Sequence, residues 1–187
     1  MSGSPMKPDP SHFNLLARLL HWSMAVLILT MLFVGVIMVA SLTLRPVLID
    51  LHRPLGIAIL LLALVRLGNR LSHRAPPLPA DLPALQKFAA VASHWVLYAL
   101  MLAMPLIGWA MLSAGGYPVV MFGSVHLPAI VPHSPGLYAP LRAAHGLLAY
   151  LLFATVLVHL SAALYHAWVR RDGVFPAMAR GPRRERP

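Results

Sequence analysis

The chain has 187 residues, which suits one domain. It is 59% hydrophobic and 11% charged, more apolar than a soluble domain of this size can hide but ordinary for membrane helices facing lipid. Cysteine is absent, which excludes disulfides, iron–sulfur clusters, thiolate zinc sites and covalent haem attachment. The net charge of +10 gathers at the ends of apolar runs, not on one face, which argues against a nucleic-acid partner.

In chain order, residues 1–12 are polar and proline-containing and read as a cytoplasmic tail. An apolar run over about 13–42 is too long for a signal-peptide core and reads as a retained membrane span. A short loop leads to a second span at about 50–68. Residues 68–87 are rich in proline and base, a connecting loop or amphipathic stretch. A third span covers about 88–112, with Pro105 inside it, which membrane bundles tolerate. Residues 113–140 hold four glycines and five prolines without a charge and read as a loop. The fourth span runs over about 141–169, and 171–187 is a basic tail expected to be disordered. The fold expected is all-α: an integral membrane four-helix bundle over residues 13–170 without internal repeats.

Twelve of the fifteen Lys and Arg fall in the N-terminal segment, the 66–87 connection and the C-terminal tail. Only Arg45, Arg53 and Arg142 flank the other two loops. The positive-inside rule then puts both termini in the cytoplasm.

That topology assigns each membrane histidine a depth. His21, His94 and His159 lie toward the cytoplasm, His52 and His145 toward the outside. In the last span His145 and His159 are 14 residues apart, nearly four whole turns, so both leave one face about 21 Å apart along the axis. Imidazoles at such depth face a bundle interior, not lipid. The same interval of 14 joins His21 to Gly35, His52 to Arg66 and His94 to Gly108. A glycine at the level opposite a histidine lets a flat ring approach the backbone, and Gly56 is a further candidate for such a contact. An arginine there suits a carboxylate such as a haem propionate.

The five acids all lie in loops or tails, so hard-cation and carboxylate di-iron sites are excluded. Stacked imidazoles among glycines and apolar surface suit non-covalent haem b with two histidine ligands, one haem at each level. Depth alone pairs His52 with His145 at the outer level. At the inner level it leaves two of His21, His94 and His159. His12, His73, His126 and His133 read as solvated loop residues, and the ten methionines as packing.

RLLHW in the first span, LHRPLGIAILLLALVRLGNRL in the second, SHWVLYALMLAMPLIGW in the third and AHGLLAYLLFATVLVHLSAALYHAWVRRDGV in the fourth resemble the bacterial cytochrome b561 family over about residues 13–178. The resemblance implies an inner-membrane cytochrome with two b haems exchanging electrons with the quinone pool. Its best understood type, the superoxide oxidase, takes electrons from external superoxide and reduces ubiquinone. Carried over, His21 and His159 would ligate the cytoplasmic haem iron, and His52 and His145 the periplasmic one. Arg53, Arg142 and Arg45 at the outer rim would then concentrate an anionic donor. His94, His166, Lys87, Arg66 and Arg70 are the candidates near a quinone. Two alternatives stand beside this reading. One is an electron-carrying subunit or partner of a dehydrogenase or periplasmic redox protein. The other, more remote, is a histidine-lined metal transporter.

Overall fold

A computed structural model describes residues 12–180. Lys7, Asp9, Arg183, Arg184, Glu185 and Arg186 lie outside the described residues, with most of the N-terminal tail and the end of the C-terminal one. Helices dominate: α1 Leu15–Ala40, α2 Arg45–Ser72, α3 Ala84–Ala114, α4 Pro135–Leu164 and a short α5 Val174–Ala179. Four are long and apolar enough to cross a membrane. Large apolar side chains such as Phe33, Leu147 and Tyr150 point outward, as a lipid-facing bundle requires.

The helices extend beyond the apolar runs that announced them. α2 begins at Arg45, not near 50, because Pro46 in its first turn has no N–H to lose there. It continues to Ser72, five residues into the stretch expected to connect spans. α4 opens at Pro135, so the last six residues of the expected 113–140 loop are helical. The rest of that loop holds an antiparallel hairpin, β1 Val119–Met121 on β2 Val125–Leu127, with Val120 opposite His126. Phe122 and Gly123 turn the chain through positive φ (+51° and +74°) between the strands, but the runs are too short for periodicity to announce. The hairpin is tied to α3: the Trp109 indole donates to the Pro128 carbonyl at 2.9 Å, and the Ile130 N–H to Ser113 Oγ at 3.2 Å.

α1 packs on α2, α2 on α3 and α3 on α4. Asn14 caps α1 by accepting from the Ala17 N–H at 2.7 Å and pairs with Asn69 near the end of α2, so these helices run antiparallel. The described residues thus begin and end at one end of the bundle, and the hairpin belongs to the other. The core cluster of Met24, Ile28, Ile59, Ala63, Tyr98 and Met101 lies mid-helix between the two histidine levels.

The expected disordered tail starts with an ordered segment. α4 widens into a π-helical turn over Tyr165–Arg170, and α5 folds back against the start of α1. The Phe13 N–H donates to the Ala177 carbonyl at 3.1 Å, the Trp22 indole to Met178 at 3.3 Å, and Phe175 meets the Trp22 ring edge-on. Apolar Val174, Phe175 and Met178 give this segment something to bury, which a count of its basic neighbours obscured.

Candidate functional site

At the hairpin end, His52 in the second turn of α2 faces His145 on α4, with ring centroids 6.1 Å apart and planes at 68°. Both Nδ1 atoms are buried without a hydrogen-bond partner; the Met104 carbonyl lies near the His145 ring without meeting that geometry at Nδ1. Between them is an apolar cavity of about 60 Å³ lined by Ile28, Met31, Gly56, Ile59, Met101, Met104, Pro105 and Leu152 besides the histidines. Three methionines expected only to fill space therefore border the site. A Cβ on Gly108 would lie 3.1 Å from His145 Cε1 and 3.4 Å from its Nδ1, so this glycine admits the imidazole against the α3 backbone. A Cβ on Gly56 would meet only Met31 Cε at 3.7 Å, and one on Gly35 nothing within 4 Å.

At the termini end, His21 on α1 and His159 on α4 have centroids 6.2 Å apart, and His94 on α3 approaches His159 at 5.4 Å. His94 is exposed on the flank of the bundle, its Nδ1 turned to the Ala90 carbonyl of its own helix. Arg66 donates to His21 Nδ1 at 3.1 Å and to the Ala17 carbonyl at 3.2 Å, its guanidinium 6.0 Å from the centre of the Tyr98 ring. Among the described residues no carboxylate pairs with this half-buried cation. Arg70 lies close enough to His94 to act on it electrostatically. With Arg66, Asn14, Asn69, Tyr98 and others it lines a cavity of about 30 Å³.

Two imidazoles bound through nitrogen to opposite faces of one metal have centroids about 6.2 Å apart, given metal–nitrogen bonds of about 2.0 Å. The spacings of 6.1 Å and 6.2 Å fit; the 5.4 Å of His94 to His159 is short. The orphaned Nδ1 atoms, the cradle at Gly108 and the cation without a counter-ion fit the same group. Among the described residues no three His, Asp or Glu converge on a point where a bare ion would sit.

The remaining predicted residues spread around these levels. Arg53, one residue after His52, acts on its imidazole electrostatically and lies 3.9 Å from Asp50. Arg45 at the start of α2 and Arg142 on α4 are exposed. Lys87 donates to the Ala80 carbonyl at 2.9 Å. His126 and His133 are exposed on the hairpin side and His73 at the termini end, whereas His12 is half-buried.

The sequence reading missed a carboxylate. Asp172, left among the tail acids, lies 2.6 Å through Oδ2 from His166 Nδ1 and 3.0 Å from Arg170 Nε. The Arg170 guanidinium also reaches Asp81 at 2.6 Å, bridging the α2–α3 connection to the end of α4. Burial works against the charged Asp172 carboxylate, but hydrogen bonds from His166, the Val174 N–H and Arg170 outweigh it and hold the group below the usual carboxylate range. The available signal was the Asp-Gly pair just past a helix end, which marks a tight turn able to bring the side chain back.

The family model for prokaryotic cytochrome b561 matches residues 12–181. A Yersinia pestis protein named "probable superoxide oxidase CybB" is 35% identical over 133 residues, 68% of this chain and 72% of its own length. Cytochrome b561 homolog 2 of Escherichia coli K12 is 27% identical over 179 residues, 90% of this chain and 92% of its own. Homolog 1 of the same strain is 29% identical over 136 residues, 73% and 76% of the two chains.

Proposed function

From the premise that this chain belongs to the prokaryotic cytochrome b561 family, a family of haem b membrane proteins, we propose that it carries two haems and moves electrons across the bacterial inner membrane to the quinone pool. The observation that carries this reading is the repeated pair: two histidine couples, 6.1 Å and 6.2 Å apart, at depths set by an interval of 14 residues. His52 and His145 would hold the haem at the outer level, and His21 and His159 the one at the inner level. His94 is a neighbour of the inner site, its 5.4 Å spacing to His159 too short for a ligand pair. Haem bound at these levels supplies reversible one-electron chemistry.

The residues do the rest. Arg66 neutralises a propionate at the inner level, and Gly108 lets the His145 ring lie against the α3 backbone. Met31, Met101 and Met104 keep water from the outer level. The Lys and Arg distribution, twelve against three, orients both termini to the cytoplasm. Arg53, Arg142 and Arg45 then face the outside, where they raise the local concentration of an anionic donor. Superoxide is the donor this favours: two superoxide anions, one ubiquinone and two protons give two dioxygen molecules and one quinol. Ubiquinone enters at the inner end, near His94, Arg70, Lys87 and His166.

The test is the absorption spectrum of detergent-purified protein, oxidised and dithionite-reduced, with haem quantified against protein. It is followed by stopped-flow reduction by superoxide with and without a short-chain ubiquinone. Two low-spin b haems per chain and quinone-dependent turnover are expected. A di-haem protein inert to superoxide that co-purifies with a redox partner would make it an electron-carrier subunit. A colourless protein would end the cytochrome reading and return the metal transporter.

A further inference from the structure

Positive charge is left over at the termini end of the bundle. The acids among the described residues are all committed: Asp50 lies 3.9 Å from Arg53 at the hairpin end, and Asp81 and Asp172 both pair with Arg170. Arg66, Arg70 and Arg74 follow one another at intervals of four through the end of α2, a spacing that stacks them along one side. All three line the cavity of about 30 Å³, together with Asn14, Asn69 and His73. Among the described residues no carboxylate lines it. One turn along α1 from Asn14, Arg18 adds a fourth cation, its Nε buried without a partner.

The backbone around the cavity also suits an anion. α1 begins there: Asn14 is its N-cap, so the positive end of the helix dipole faces the cavity. α2 ends there, and its last carbonyls would repel an anion. Two of them are already occupied, because Gly68 accepts from Ser72 Oγ at 2.9 Å and Asn69 from His73 Nδ1 at 3.1 Å. Asn14 and Asn69 hold the two helix ends together through their side-chain amides at 3.3 Å and 3.4 Å. The cavity has room for about two water-sized groups, which suits the oxygens of one small anion and not a ring. His73 and Arg74 are exposed, so the rest of the ligand lies outside. Leu15, Leu19 and Leu71 on the same helix ends are exposed as well, an apolar flank along which acyl chains can run.

We propose that Arg70 and Arg74, with Arg66 and the Asn14–Asn69 pair behind them, hold the phosphate of an anionic phospholipid from the leaflet at the termini end. The guanidinium fork matches phosphate oxygens two at a time. Free phosphate has the same chemistry. A lipid is favoured because the cations sit beside an apolar flank, where basic pockets between membrane helices meet headgroups. Binding there is independent of the electron donor and of quinone.

The test is native mass spectrometry of the full-length haem-loaded protein in detergent, titrated with phosphatidylglycerol, phosphatidylcholine or inorganic phosphate. One phosphatidylglycerol per chain is expected, held roughly 10-fold more tightly than phosphatidylcholine, whose phosphate carries its own counter-charge. Arg70→Gln/Arg74→Gln should lose roughly 10-fold of that affinity and keep its haem-to-protein ratio. Arg171→Gln/Arg180→Gln, which removes the same charge from exposed positions at the same end, should bind as wild type does. Equal binding of the two lipids by wild-type protein overturns the proposal without recourse to any variant. So does an unchanged affinity in Arg70→Gln/Arg74→Gln, or an equal loss in both double variants, which reduces the site to diffuse surface charge. Inorganic phosphate held as tightly as phosphatidylglycerol gives the pocket to a soluble anion. Haem lost from Arg70→Gln/Arg74→Gln gives it to a haem propionate. Either result overturns the lipid.

Discussion

At the scale of single residues, the outer level rests on two imidazoles and one missing methyl group. His145→Ala should remove the outer haem and leave the inner one, halving the haem-to-protein ratio; retention of both would overturn the pairing. Gly108→Val is the subtler probe. With a Cβ already 3.1 Å from His145 Cε1, the larger side chain must push the imidazole aside or move α3. Overpacking of this kind costs about 1–3 kcal/mol. The expected result is folded protein with reduced outer haem occupancy and an unchanged inner spectrum. Gly35, around which nothing lies within 4 Å, should tolerate alanine with full haem content.

At the scale of elements, the end of α4 is a helix terminus secured by charge. Asp172 ties the π-helical turn to α5 through Arg170, His166 and the Val174 N–H. Because these partners lower its pKa in the folded state, their stabilisation is complete above the ordinary carboxylate pKa of about 3.9 and is lost as pH falls through the lower folded value. Hydrogen exchange of residues 171–180 should therefore be slow at neutral pH and accelerate below about pH 4. Asp172→Asn should exchange fast throughout. A wild-type segment with no pH dependence would mean that apolar contacts of Phe175 and Met178 hold it alone. This element also marks where reading the sequence stopped. The long spans announce themselves because lipid leaves a continuous apolar record of about 20 residues. α5 is six residues long and buries only part of its surface, and the hairpin strands have three residues each. Such elements depend on contacts made after folding, with Trp22 for α5 and Trp109 for the loop beyond the hairpin. The two histidine depths were legible because a helix converts spacing into height. The Asp172 contact was not, because it depends on the chain turning through positive φ at Arg171 and Gly173.

At the scale of the whole molecule, the proposed encounter with an anionic donor rests on how Lys and Arg are distributed along the chain. Replacing Arg53 and Arg142 by Gln, with Arg45 as a third site, should slow reduction by superoxide and flatten its dependence on salt, since steering is screened over about 10 Å at 0.1 M ionic strength. Haem spectra should not change. An unaltered rate and salt response would assign the three arginines to the lipid interface alone.

The plug of Met24, Ile28, Ile59, Ala63, Tyr98 and Met101 between the two histidine levels has an electrical meaning as well as a packing one. Those levels are about 21 Å apart in a hydrocarbon layer of about 30 Å, so a charge travelling between them traverses roughly two-thirds of the insulating thickness. Crossing the full layer is worth about 2.3 kcal/mol per 100 mV, which leaves roughly 1.5 kcal/mol for this journey. With the cell interior negative, an inbound electron climbs that slope. On the proposed inward path the protein adds to the membrane voltage, and an energised membrane slows that flow.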